Sequence, residues 1–165
     1  MVMSLLKADS WLQDNTCIIS YSDIVYSADS VLRLKMIKGD IGITYDKNWF
    51  SLWNARFNDP LSDAETFKID NQGFLIEIGD KPKTHEEIQG QFMGLLKITP
   101  SGWEKINEVI NQYSEKKKFK MDVTSLLQKL IEHGIRVSTI PIRDAWYEVD
   151  NEDDLAYYSS LDSLW

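Results

Sequence analysis

Apolar positions along this chain recur with two alternating periods, and the changes of period predict its elements. In SLLKADSWL, residues 4–12, Leu5, Leu6 and Leu12 fall with Trp11 on roughly one helical face, and Asp14-Asn15 ends the helix. A strand follows at 16–20. Ser27 or Asp29 can cap a second helix over SVLRLKMIKG, 30–39, with Gly39 as its stop. The β-branched run DIGITYD, 40–46, reads as the next strand. A strand, helix, strand unit of this length joins parallel neighbours in a layered α/β sheet.

The middle of the chain breaks that rhythm. NWFSLWNARF, 48–57, is a short aromatic-rich helix, NDPLSDAE a polar loop, and TFKID-NQG-FLIEIG, 66–79, a hairpin turning at 70–73, which is an antiparallel excursion from the parallel pattern. A strand over 90–99 leads into a helix from Thr99-Pro100 to the region of Tyr113, with proline at its favoured first position. Asp122 caps a helix whose stripe is Leu126, Leu127, Leu130 and Ile131 and whose stop is Gly134. Strands at 135–142 and 145–150 and a helix at 151–161 with acids in its first turn complete the order.

Composition narrows the functions. At 165 residues and 43% hydrophobic, the chain can bury the core of one domain spanning 1–165. No apolar run approaches the ~20 residues that span a bilayer, and the N-terminus lacks the basic start and cleavage site of a signal peptide, so a cytoplasmic location without a membrane partner is expected. Cys17 is the single cysteine; it excludes a disulfide framework and is expected as a buried structural thiol within its strand. With two histidines besides, zinc is improbable. The net charge of −8 and the lack of a clustered basic face argue against nucleic acid, and the one basic run, EKKKFK at 115–120, reads as an exposed loop between helices.

Two acids follow strands. Asp23 lies in CIISYSDIVYS and Asp150 in AWYEVDNEDDL, and strand ends in an α/β sheet can bring such distant residues together where ligands bind. As a pair they suit Mg2+, which takes oxygen ligands and phosphate co-ligands; singly, Asp23 ends a strand and Asp150 caps the last helix. Lys81 and Lys83 flank a proline after the hairpin, where they either meet an anionic group or form a solvated basic loop. Trp49, Trp53, Trp146 and Tyr147 offer faces for an ammonium group, or core and hydrophobic rim. No serine elbow, P-loop or metalloprotease motif is present.

Taken together, SYSDIVYS, YDKNWFSLWNARFNDPLSDAETFKID, EIGDKPKTHEEIQGQFMGLLKITPSGW, MDVTSLLQKLI and WYEVDNEDDL resemble the sugar-phosphate nucleotidyltransferase family. The likeness runs in order through essentially the whole chain and leans towards cytidylyltransferases acting on phosphocholine, inositol phosphate or 2-aminoethylphosphonate. It implies a three-layer α/β/α sandwich with a mostly parallel sheet and the hairpin excursion. It further implies that Asp23 and Asp150 hold Mg2+, that Lys81 meets the phosphorylated substrate, and that Trp146 lies near that substrate's alcohol or amine end. The expected chemistry is transfer of CMP from CTP with release of pyrophosphate; the alternative is a binding protein that retains the acceptor pocket.

The resemblance has a gap. The family opens with a strand and a glycine-rich nucleotide loop followed by an arginine and a lysine, whereas the eight glycines here include no G-x-G pair. The chain is therefore expected to correspond to the back portion of the domain, lacking the first strands. The strand at 16–20 would then carry an unpaired edge, to be covered by a second copy or by a separately encoded front half.

Overall fold

The computed structural model describes residues 1–142 and 144–160. The chain runs α1 (Val2–Lys7), α2 (Asp9–Asp14), β1 (Cys17–Ser20), β2 (Ile24–Tyr26), α3 (Ala28–Met36), β3 (Ile41–Asp46), α4 (Trp49–Arg56), β4 (Phe67–Ile69), β5 (Leu75–Ile78), β6 (Gln91–Ile98), α5 (Pro100–Ile110), α6 (Glu115–Lys120), α7 (Val123–Glu132), β7 (Ser138–Pro141), β8 (Trp146–Glu148) and α8 (Glu152–Ser159). The central sheet has the order β1-β6-β3-β7. β6 runs antiparallel to both neighbours and β3 parallel to β7, so β1, β3 and β7 share one direction and β6 alone opposes it.

Helices cover both faces of this sheet, which is why every residue of β3 is buried. Ile41, Ile43 and Tyr45 enter one core with Leu96, Ile98, Trp103 of α5 and the Leu126, Leu127, Leu130 stripe of α7. Met93 and Leu95 enter the other, with Leu34 of α3, Trp49 and Trp53 of α4, and Trp146. Two helix signals act as expected: Thr99 accepts a hydrogen bond from the Gly102 amide at 3.1 Å and Asp122 from the Ser125 amide at 2.7 Å, satisfying N–H groups that the first turn leaves unpaired, whereas α3 has no side-chain cap bond from Ser27 and ends with Ile37, not Gly39, at its cap.

The β4–β5 hairpin forms where the turn residues place it, with the Asp70 carboxylate accepting from the Gln72 and Phe74 amides. Its far end continues the main sheet beyond β7, through Leu75 N–H to Val137 O and Thr139 N–H to Gly73 O, each at 2.9 Å. β1 pairs with β6 and, among the described residues, has no partner on its other side.

Four expectations change. The first helix is broken at Ala8 into α1 and α2, which turns Trp11 out to 72% exposure while Leu12 stays buried. β1 and β3 share a direction but are separated by β6, so the crossover between them skips one strand position. Cys17 is half-buried because β1 lies at the sheet edge. Residues 115–120 form the short helix α6, with Glu115 in the first turn and three lysines in the last, the arrangement that suits a helix dipole.

An irregularity in the β3–β6 ladder sets up the site. Between the pairs Ile43↔Leu96 and Tyr45↔Phe92, β6 spends extra residues, and Gly94 sits there at φ +77. The Tyr21 ring lies where a Gly94 side chain would be, and a Cβ would fall 2.6 Å from its Cγ. Gly94→Ala should therefore cost the ~1–2 kcal/mol of a left-handed alanine plus the displacement of Tyr21. Urea unfolding of the variant checks this; an unchanged midpoint would contradict it.

Candidate active site

The chain beyond Tyr21 leaves the main sheet and forms a two-stranded ribbon that the sequence pattern did not reveal. β2 pairs antiparallel with β8, matching Ile24 with Glu148, Val25 with Tyr147 and Tyr26 with Trp146. The Val149 amide donates to Asp23 O at 2.9 Å and extends the ladder by one step. Asp23 and Asp150, 127 positions apart in the sequence, thus flank the same ribbon end.

The last helix is capped by other residues, which leaves the Asp150 carboxylate for the site. Asn151 accepts from the Asp154 amide at 3.0 Å, and the Asp154 carboxylate accepts from the Asp150 amide at 3.0 Å. The reading of Asp150 as the helix cap is thereby replaced. Its carboxylate, 49% exposed, instead accepts from Arg56 Nη2 at 2.7 Å.

Arg56 is the anchor beneath this end. Its side chain is 1% exposed and reaches Glu148 at 3.3 Å, Asp150 at 2.7 Å and Asp154 at 2.8 Å. The guanidinium also lies 5.0 Å from the Phe57 ring centroid and 5.8 Å from that of Trp53. Burial alone would lower its pKa, yet the hydrogen bonds to Asp154 and Asp150 outweigh burial and hold it above its ordinary value. One cation thus ties α4 to the end of β8 and the start of α8.

A cavity of about 250 Å3 opens beside the ribbon, walled by Tyr21, Trp53 and Phe92 and by five carboxylates, those of Asp63, Glu65, Asp122, Glu148 and Asp150. Among the described residues no lysine, arginine or histidine side chain lines it. Burial, then the neighbouring Asp150, pushes Glu148 up to about 7 against the opposing pull of Arg56, and Asp23 adds to the rise. Burial and then Asp122 raise Glu65 above the usual carboxylate range. The Tyr21 hydroxyl is pushed up by burial first and by Asp122, Glu65, Glu148 and Asp23 after it. Negative charge is therefore gathered at this point, offset in part by Arg56 on Glu148 and Asp150. Among the described residues no three metal-binding side chains converge into a closed cage. Two exposed carboxylates are the donor set that suits Mg2+, which keeps waters and phosphate oxygens in its remaining positions.

No protein-family model matches the chain. It is 40% identical over 160 residues to the CTP:phosphoglutamine cytidylyltransferase of Campylobacter jejuni, in an alignment that takes in 92% of this chain and 61% of the relative. This likeness supports assigning the chain to the nucleotidyltransferases. Two solved structures agree in fold: the inositol-1-phosphate CTP transferase of T. maritima, with a TM-score of 0.68 and 16% identity, and a Bacillus anthracis protein assigned as a glucose-1-phosphate thymidylyltransferase, crystallised with sucrose, with a TM-score of 0.70 and 14% identity. The alignments cover 95% of this chain and 59% and 58% of those two chains. The chain spans about three fifths of the length of the curated relative it matches, as the 61% coverage states.

Within this nucleotidyltransferase fold, the remaining sequence candidates separate. Lys81 is exposed, and its ammonium donates to Ser62 O, beside the cavity-lining Asp63. Lys83 is also exposed and fixes its loop through its backbone, whose amide donates to Glu87 at 2.5 Å. Trp146 is buried and donates from Nε1 to the Asp46 carboxylate at 3.1 Å, holding β8 against the end of β3. Trp146 and Tyr147 line a second cavity of about 370 Å3 with Asp46 and Asp144. Trp49 is buried in the second core, 6.1 Å from the ring of Trp53, and of the two it is Trp53 that reaches the 250 Å3 cavity.

The sequence reading missed Arg56, Tyr21, Glu148, Glu65 and Asp122. Asp122 carried a visible signal as a helix cap, and that signal hid its second role. Arg56 carried none, since one arginine at the end of an aromatic helix has no partner in sequence until the ribbon brings Asp150 and Asp154 to it.

Proposed function

We propose that this chain provides the metal and acceptor side of a cytidylyltransferase site, in which CMP passes from CTP to a small phosphorylated acceptor. The observation that carries the reading is the meeting of Asp23 and Asp150 at one ribbon end, where both carboxylates act on Glu148. In the reaction, an oxygen of the acceptor phosphate forms a bond to the α-phosphorus of CTP as the bond to the β-phosphate breaks, and pyrophosphate leaves. Bound Mg2+ would neutralise phosphate charge, held by Asp23 and Asp150. The chain's own groups do the rest by placement: Arg56 fixes Asp150, and Lys81 stands at the loop beside Asp63 as a point charge for the acceptor phosphate.

The acidic lining and the Tyr21, Trp53 and Phe92 walls suit an acceptor with an ammonium group, which phosphoglutamine and phosphocholine both carry. A cytoplasmic location is part of the same proposal. So is cover for the open edge of β1 by a second copy or a front half supplied separately; a monomer in light scattering that turns over CTP unaided would count against such cover.

Calorimetry separates the enzyme from a binding protein. Titration with phosphoglutamine and with phosphocholine is expected to give heat that grows when Mg2+ and CTP are present. Acceptor heat indifferent to CTP would favour the binding protein, and no heat with either acceptor would overturn both readings.

A further inference from the structure

A cavity of about 670 Å3 lies at the other end of the main sheet, where β3 and β7 begin. Its walls come from the segment before β3 (Lys38, Gly39, Asp40), from α5, and from the end of α7 through Ser138. The candidate active-site cavity shares no lining residue with it, so the two are separate places. Their charged linings differ too: among the described side chains the active-site cavity carries carboxylates and no lysine or arginine, whereas this one carries Lys38, Lys105 and Arg136 against Asp40 and Glu108, in a chain of net charge −8.

Pairing sharpens the contrast. Lys105 is taken up by Asp40 at 2.6 Å, and its ammonium holds that carboxyl below the usual carboxylate range. Among the described residues, Lys38 and Arg136 have no carboxylate within ion-pair distance. Arg136 is held in place by stacking, its guanidinium 5.1 Å from the Phe74 ring centroid, which leaves its N–H fork unspent. The backbone at Lys38 is fixed by Ser138, whose hydroxyl donates to Lys38 O at 2.8 Å. Phe74, Val109 and Ile135 give the same cavity an apolar wall.

We infer that this cavity is a second, anion-binding site, suited to a small phosphate ester whose apolar body rests on Phe74, Val109 and Ile135 while its phosphate lies between Arg136 and Lys38. The mixture of apolar wall and few convergent cations is the pattern of small-ligand sites. A guanidinium that stacks on an aromatic ring and keeps its fork open is well arranged for a phosphate.

Phenyl phosphate is the probe, followed in the 15N spectrum of the protein, with inorganic phosphate and phenol as separate arms. The expected result is saturable movement of the Gly39 and Gly134 amides at millimolar phenyl phosphate, tighter than with either arm alone. Arg136→Gln should weaken it at least about tenfold, the worth of a charged hydrogen bond. Lys81→Gln should leave it unchanged. Should the Arg136 variant fail to fold, Lys38→Gln carries the same expectation. Immobile Gly39 and Gly134 signals, wild-type affinity in the folded variant, or movement confined to the neighbourhood of Lys81 would each overturn the assignment.

Discussion

Arg56→Met is expected to cost about 3–5 kcal/mol of folding stability, the largest effect of any single substitution considered. Methionine keeps the volume and the packing on Trp53 and Phe57, so the loss is electrostatic. In the wild type one guanidinium, 1% exposed, sits among Glu148, Asp150 and Asp154 at 2.7 to 3.3 Å. Removing it strands three carboxylates around a partly dry pocket, with Glu148 already raised to about 7 by burial and by Asp150. Denaturant unfolding at neutral pH measures the loss. The sign of its pH dependence follows from Asp154, whose pKa the Arg56 hydrogen bond depresses. That contribution is present above the unfolded value near 3.8 and fades as pH falls through the lower folded value, so the gap between wild type and variant should narrow in acid. A loss under about 1 kcal/mol would mean that the cluster behaves like ordinary surface ion pairs.

Asp23→Asn is expected to act in the opposite direction on stability and to remove its linkage to metal. Asp23 is exposed, and its charge adds to the repulsion on Glu148, so its neutralisation should leave the metal-free protein as stable as wild type or slightly more so. If the acid serves a cation, that gain comes at the cost of function. Mg2+ at about 100 times its dissociation constant should stabilise the wild type by roughly 2.7 kcal/mol and the variant by far less. Thermal melts with and without Mg2+ read both effects. A variant that is destabilised without metal, yet responds to Mg2+ as the wild type does, would assign Asp23 to the scaffold.

How far the sequence reveals this molecule depends on the range of the forces involved. Local signals were legible: Thr99, Asp122 and Gly134 bound their helices, and the turn at Asp70 sets the hairpin. The first core follows from the apolar run of β3 and the α7 stripe. Strand order was not legible, because nothing within DIGITYD says that β6 will come between it and β1. The β2–β8 ribbon was missed for a related reason: IVY is three residues long, too short for a period, and its partner lies more than a hundred positions away. Asp23 and Asp150 could be singled out as acids beside strands, and that they flank one ribbon end waited on the β2–β8 pairing. Arg56 and Glu148 became meaningful only through the same pairing.

The most direct measurement places a paramagnetic ion. Mn2+ titrated into 15N-labelled protein should broaden the amides of Asp23, Val149 and Asp150 first. Asp23→Asn and Asp150→Asn should each weaken that broadening by at least the roughly 10–100-fold that loss of even an outer-shell metal partner costs. Broadening that begins elsewhere, or that survives both substitutions at wild-type concentrations, would contradict the account.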